Sequence, residues 1–202
     1  MSKVIVLDRN VWGPLGWHVI HNFSIKSTDN DCMNTLIKTF GYILPCPTCK
    51  KHYNYLITNI YIINDNINNK KGMIKYLYDI HNIINKNLEK KIKISLKESI
   101  EVNKKIDNPK FIYFLIIIYS NINYKKISFN EFDKIYNFFI CFLKNYPSKE
   151  IRVKFIKIIN SKDFIDSDTP MTFHKWFHKK FKKINFINEN YEKYNKKIIN
   201  NI

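Results

Sequence analysis

A chain of 202 residues with 45% hydrophobic and 15% aromatic side chains has enough apolar surface for a folded core, which excludes disorder throughout. With 4 Gly and 6 Pro it lacks the turn residues that an all-β sandwich or barrel needs. Lys and Arg number 34 against 17 Asp and Glu, a formal net charge of +17 that raises nucleic acid or an anionic membrane as a partner. The basic residues are nevertheless spread over the chain, the aromatics fall at core spacings, and the excess of Asn, Ile, Lys and Tyr is what a coding sequence rich in A and U produces. Nucleic acid is therefore not the expected partner.

Trp12, Leu15, Val19, Ile20 and Phe23 recur at helical spacing and predict a first helix over residues 11–25. Asp29 to Asp31 offers caps for a second helix carrying Met33, Leu36, Ile37, Phe40, Tyr42 and Ile43, which Pro45 ends. Pro47 suits the first position of a third helix, continuing through Tyr53, Leu56, Ile57 and Ile60. The Asn-rich stretch from Asn64 to Lys71 reads as a loop. Met73, Ile74, Leu77, Ile80, Ile84 and Leu88 then make a fourth amphipathic helix. Residues 91–109 are basic and polar apart from a brief alternation at Ile92 to Leu96, and the linker is placed at 93–107. A second helical block follows, with segments Phe111 to Ile122, Phe129 to Tyr146, Ser148 to Asn160 and Pro170 to Ile187, before a basic polar tail at 188–202.

Four cysteines are too few for the disulfide framework of a small secreted domain, and the chain does not open on a charged, apolar and small-residue series of the signal-peptide kind. The longest apolar run, Phe111 to Tyr119, is well short of the ~20 residues that span a bilayer. The expectation is a soluble protein made without export.

Cys46-Pro47-Thr48-Cys49 lies at the predicted start of the third helix, where the dipole and unpaired N–H groups stabilise a thiolate. That favours disulfide exchange. Haem attachment needs His directly after the second Cys, and Lys50 stands there. Zinc needs two further ligands; His52 is near, but no second Cys-x-x-Cys exists, and no metal site is expected. Trp12-Gly13-x-x-x-Trp17-x-x-x-His21 precedes the pair, and His81-Asn82-x-x-Asn85-x-x-Leu88-x-Lys90 follows it. Trp17 with His21, and His81 with Asn85, are four apart and share a helix face. Together they supply rings for a flat cofactor to stack on, polar donors, and a cation for phosphates.

In this order the three motifs resemble the Erv/ALR family of FAD-linked sulfhydryl oxidases, over roughly residues 10 to 92. The resemblance implies an all-α fold whose first unit, residues 1–92, is a four-helix FAD-binding bundle. It implies oxidation of protein dithiols, with electrons passing through Cys46 and Cys49 to FAD and then to molecular oxygen, giving hydrogen peroxide. Cys49 then lies beside the flavin and Cys46 faces a protein dithiol substrate or a thiol shuttle protein. Trp12, Gly13, Trp17, His21, Tyr78, His81, Asn82, Asn85 and Lys90 match positions that contact FAD. Relatives pair as homodimers through the first helices. Tyr76 departs from the Trp that relatives carry before His-Asn, though an aromatic stacking surface is retained. A second, structural cysteine pair is also missing, as in members from large DNA viruses, which makes a viral source and a cytoplasmic or virion-associated location the expectation. Cys32 and Cys141 read as lone, partly buried thiols.

Two other functions fit the cysteine pair or the charge. A flavin-free thiol–disulfide exchanger of thioredoxin type predicts strands flanking the pair, and a basic nucleic-acid or virion-packaging protein leaves the pair idle. In the second half, residues 108–187, Leu44-Pro45-Cys46 lines up near Tyr146-Pro147-Ser148 and Tyr76 with Trp176 at an offset near 100. This is either a degenerate repeat of the oxidase unit or an unrelated helical bundle. His174 and His178 are four apart, but lysines crowd them and both read as structural.

Overall fold

The computed structural model of the chain describes residues 9–27, 29–61, 69–90, 94–105 and 108–183. Ten α-helices occur among them, and no strand, so the thioredoxin-type reading lacks the strands it needs. The first unit holds α1 (Arg9–Lys26), α2 (Asn30–Ile43), α3 (Pro47–Tyr55), α4 (Lys70–Asn87) and α5 (Leu96–Asn103). The second holds α6 (Asn108–Asn121), α7 (Phe129–Lys144), α8 (Lys149–Ile159), a single turn α9 (Lys162–Ile165) and α10 (Pro170–Lys183).

Local chemistry sets the starts of these helices. Asp29 caps α2 by accepting from the Cys32 N–H at 2.9 Å, and Asn69 caps α4 through the Gly72 N–H at 2.9 Å. Ser128 caps α7 through the Glu131 N–H at 3.2 Å. The end of α4 is a Schellman closure: Lys90 N–H donates to Asn85 O and Glu89 N–H to Lys86 O, at 2.9 and 3.0 Å. Glu89 takes the left-handed conformation the closure requires, φ 54°.

Two elements depart from the expectations. The third helix keeps α geometry only to Tyr55; Leu56–Ile60 form a π turn closed by Tyr61 N–H to Leu56 O at 2.7 Å. Within the expected linker lies α5, which opens on a capping box: Ser95 Oγ accepts from the Glu98 N–H, and Glu98 accepts from the Ser95 N–H. It is clamped to α1. Asn22, fully buried, donates to the carbonyls of Asn103 and Lys105 at 2.6 and 3.0 Å, and His18 Nδ1 donates to Asn103 Oδ1 at 3.0 Å. The expected tail at 188–202, most of the Asn64–Lys71 loop, and the last four residues of the Pro170–Ile187 segment lie outside the described residues.

α1 and α2 are the centre of the molecule. α1 packs against α2, α4 and α5 within the first unit and against α6 of the second, while α2 packs against α3 and, over the broadest seam in the fold, against α7. Where α6 meets α1, a Cβ on Gly16 would come within 3.0 Å of the Phe114 ring, so the absent side chain sets the approach. Phe23 meets Phe111 and Phe142 at ring distances of 5.5 and 4.9 Å, and Phe40 meets Phe114 at 6.2 Å. One hydrophobic core therefore runs through both units. The apolar run in α6 is interior: Phe111, Phe114, Leu115 and Ile118 are fully buried. No helix among the described residues is long and apolar enough to cross a membrane.

Cys32, half-buried in α2, and Cys141, buried in α7, are both free thiols. In the second unit, the His174 ring stacks on Tyr119 and accepts or donates a 2.7 Å hydrogen bond to its hydroxyl, a packing role; no group of three or more His, Cys, Asp or Glu side chains among the described residues could hold a metal.

Candidate functional site

Cys46 is the N-cap of α3, with extended backbone and Pro47 as the first helical residue. Its Sγ accepts from the Cys49 N–H at 3.2 Å, and the two cysteines are joined as a disulfide with their Cα atoms 5.2 Å apart. A thiolate released when this bond opens lies at the positive end of a helix, among N–H groups without helical partners, which lowers its proton affinity. Lys50 pairs with Glu131 of α7 at 2.6 Å, tying the redox helix to the second unit.

Beside the disulfide is a cavity of about 600 Å³ between α1, α3, the π turn, α4 and α5, a size typical of small-molecule sites. Of the sequence-predicted residues, Trp12, Gly13, Trp17, His21, Cys49, Tyr78, His81, Asn82, Asn85 and Lys90 all line it. Cys46 does not. The geometry thus gives the two sulfurs different surroundings, one on the cavity wall and one away from it.

The wall has an aromatic shelf. Trp17 and His81 stack with ring centres 4.2 Å apart and planes within 9°. His21 Nε2 and His81 Nδ1 share a hydrogen bond of 3.1 Å. Burial, then the neighbouring His81 and His18, lowers the His21 pKa to about 3; burial, then Lys90, lowers that of His81 to about 4. Both rings are neutral near pH 7, so in their shared bond one nitrogen donates and the other accepts.

A second, smaller groove of about 440 Å³ shares Tyr78, Asn82, Asn85, Lys90 and Ile94 with the cavity and adds Lys86 and Ser95. Its two ammonium groups make it the electropositive end of the site. The Schellman closure carries Lys90 there, and Tyr78 steadies the opposite side by donating to the Ile94 carbonyl at 2.8 Å. Tyr76, expected to keep a stacking surface, does not reach the cavity: it is buried on another face of α4, where its hydroxyl donates to the Tyr61 carbonyl. Stacking is supplied by Trp17 and His81 instead.

Several wall residues were not anticipated. Ser99, Val102 and Asn103 come from α5, Leu56 and Ile60 from the π turn, and Arg9 from the start of α1. The capping-box spacing Ser95-x-x-Glu98 is the signal that could have revealed α5. The cavity suits a flat, anionic cofactor on three counts. A Cβ on Gly13 would meet no protein atom within 4 Å, Asn85 Nδ2 is buried in the wall with no hydrogen-bond partner, and an aromatic shelf leads to a lysine-lined end.

Comparison with known proteins matches the same part of the chain. The profile of the Erv1/Alr family matches residues 14–107, which span α1 to α5 apart from the first turns of α1. A mimivirus protein described as an FAD-linked sulfhydryl oxidase is 28% identical over 105 residues, covering 49% of this chain and 73% of its own. A protein of the same description from Invertebrate iridescent virus 6 is 29% identical, over 48% of this chain and 95% of its own. The FAD-linked sulfhydryl oxidase of African swine fever virus is 30% identical over 88 residues, or 40% of this chain and 71% of its own. No solved structure gives a significant match. With a relative at this identity covered over more than two thirds of its length, and the family profile spanning all the helices that wall the cavity, the chain belongs to the Erv1/Alr family.

Proposed function

We propose that the protein oxidises protein dithiols to disulfides at Cys46 and Cys49, with FAD held in the cavity beside Cys49. The enzyme is an FAD-linked sulfhydryl oxidase, as its viral relatives are described. One observation carries the assignment of roles: of two bonded sulfurs, only Cys49 lines the cavity that holds the Trp17–His81 shelf.

A substrate thiolate attacks Cys46 Sγ, the sulfur away from the cavity; a mixed disulfide forms and Cys49 leaves as a thiolate, stabilised by the start of α3. Attack by the second substrate thiol on the mixed disulfide frees Cys46 and releases the product disulfide. Flavin bound there would supply a two-electron acceptor for the reduced pair, with oxygen as the final acceptor and hydrogen peroxide as its product. Trp17 and His81 would orient the ring system, with Trp12 and His21 on the same cavity wall. Gly13 leaves room for it, and Asn82 and Asn85 offer amide donors. Tyr78, Lys86 and Lys90 bind the anionic end.

The substrate is a protein dithiol or a small thiol shuttle protein, and nucleic acid is not a partner. The viral relatives favour the cytoplasm of an infected cell or the virion as its place of action. Pairing of two copies through the first helices, as in cellular relatives, is met here by α6 along α1 and α7 along α2, so a homodimer uses another face. The second unit repeats the helix order of the first with its cysteine pair and His-Asn replaced, which supports a degenerate repeat.

The test is a purified full-length chain with a flavin spectrum that consumes oxygen in the presence of a dithiol. Cys49→Ala should lose turnover and keep FAD, and Cys46→Ala should lose turnover with protein substrates. Full activity in either variant refutes the assigned roles.

A further inference from the structure

One ion pair joins the helix that carries the disulfide to the second unit. Lys50 Nζ lies 2.6 Å from Glu131 Oε1 of α7, and no other ion pair involves α3 among the described residues. The two side chains are 30% and 33% exposed, so water and salt screen the pair less than a pair in the open.

Lys50 stands one turn after Cys46. Its N–H donates to the Cys46 carbonyl at 2.9 Å, and residues four apart share a helix face. Helical side chains lean toward the N-terminus, so the stem of Lys50 covers the turn that begins at Cys46. A free ammonium there adds to the positive end of α3, where a thiolate forms when the disulfide opens. Glu131 sets that ammonium against a carboxylate. The contact also displaces a local alternative. Ser128 and Glu131 have capping-box spacing, and Ser128 Oγ accepts from the Glu131 N–H at 3.2 Å. Where the same spacing opens α5, Glu98 turns back and accepts from the Ser95 N–H. Glu131 instead reaches across to Lys50. Of the other charges nearby, Asp133 and Lys134 pair with each other at 3.4 Å, Lys51 and His52 are exposed on α3, and the last turn of α2, Phe40 to Ile43, carries none.

We propose that Glu131 of the second unit is a positioning residue for the redox pair, holding Lys50 in an ion pair so that the Cys46–Cys49 disulfide is a milder oxidant than it would be beside a free lysine. This deepens the reading of Cys46–Cys49 as the redox disulfide and rests on it. A cation near a thiolate stabilises the reduced pair, and a disulfide whose reduced form is stabilised is the stronger oxidant. A pair that takes electrons from a substrate must also release them, and a thiolate of lowered proton affinity is the poorer nucleophile. The second unit thereby acts on the chemistry through one carboxylate, although it contributes nothing to the cavity wall.

The test is the thiol–disulfide equilibrium of the full-length, FAD-loaded chain, held without oxygen in glutathione redox buffers, or dithiothreitol buffers where glutathione leaves the pair closed. Samples are quenched in acid and alkylated, and the labelled fraction of the peptide holding Cys46 and Cys49 is read by mass. A charge set free about one helical turn from the sulfur, screened nearly as in water, changes the equilibrium constant roughly threefold. Glu131→Gln should therefore favour the reduced pair by about threefold, or ~14 mV at 29.6 mV per tenfold. Lys50→Gln should shift it the other way, Lys50→Gln/Glu131→Gln should return near the parent, and Glu131→Asp should restore most of the parental value. The single-variant shifts should shrink in about 1 M salt, where the Debye length is about 3 Å. Unchanged equilibria in both single variants, or shifts of the same sign, overturn the proposal; a lower Tm with unchanged equilibria shows a strut between the units and overturns it equally. Should Glu131→Gln fail to fold, Lys50→Gln and Glu131→Asp decide by the same signs. Oxygen uptake by the parent with a dithiol is measured alongside. Its absence counts against the oxidase reading and leaves the equilibrium result standing, whereas flat equilibria in an active oxidase overturn this inference alone.

Discussion

The neutral imidazole pair under the aromatic shelf should make stability fall with acid in a window that the carboxylates leave clear. In the unfolded chain His21 and His81 titrate near 6.5, whereas in the fold they are held at about 3 and about 4. A base whose folded pKa is depressed binds more protons when unfolded. Its contribution is therefore complete above about pH 6.5 and is lost as the pH drops toward the folded value. At about pH 5 each ring is ~1.5 units below its unfolded pKa and still neutral in the fold, which at 1.36 kcal/mol per unit costs ~2 kcal/mol per histidine, or ~4 for both. That is a large share of the ~5–15 kcal/mol that holds a typical domain together. Glu98, Glu150 and Asp163 have lowered pKa values, so their contributions are lost only below about pH 4.5. Urea unfolding of FAD-free protein at about pH 7.5 and about pH 5 measures the effect. The parent should lose ~4 kcal/mol, His21→Gln or His81→Gln ~2, and the double variant little. Equal losses in parent and double variant would refute the assignment, as would a parent indifferent to pH across this range.

Trp17→Ala should remove one face of the shelf and lose FAD; the parent gains ~2.7 kcal/mol of stability at a hundredfold excess of FAD over its dissociation constant, and the variant should gain almost none, as Tm with and without FAD reads. Ending the chain after Lys105 should keep the flavin spectrum but expose Phe23, Phe40 and their neighbours, at ~1.5–3 kcal/mol for each large side chain returned to water, giving lower Tm and aggregation by light scattering. A soluble, monomeric, equally heat-stable truncation would refute the shared core. Glu89→Gly should stabilise by up to ~1 kcal/mol in urea, because Gly enters the left-handed region without steric cost; a loss would show that the Glu89 side chain makes a contact that matters more.

Helices α1, α2 and α4 were legible because Trp12 and Val19, Leu36 and Phe40, and Leu77 and Ile80 mark one apolar face each, and all six are buried. The site was legible because its groups come in pairs four residues apart on single helices, so each pair's convergence needed only local geometry. α5 was not, since Leu96 to Asn103 is mostly polar and its place depends on Asn22 and His18 reaching across from α1. The direction of Tyr76 was decided by the Tyr61 carbonyl, fifteen residues away, which no spacing rule anticipates. The long seam between α2 and α7 is likewise a choice made by tertiary packing alone.

Every residue lining the cavity falls between Arg9 and Asn103; α6 to α10 contribute none. Selection therefore acts on the two stretches in different currencies. A substitution in the first must keep particular atoms, such as an indole, an imidazole or an amide. A substitution in the second must keep only volume and apolarity at positions such as Phe114, Phe138 and Phe142. The later helices are free to drift among side chains of similar bulk at a pace the earlier ones cannot follow, with the chemistry unaffected so long as α1 and α2 stay covered.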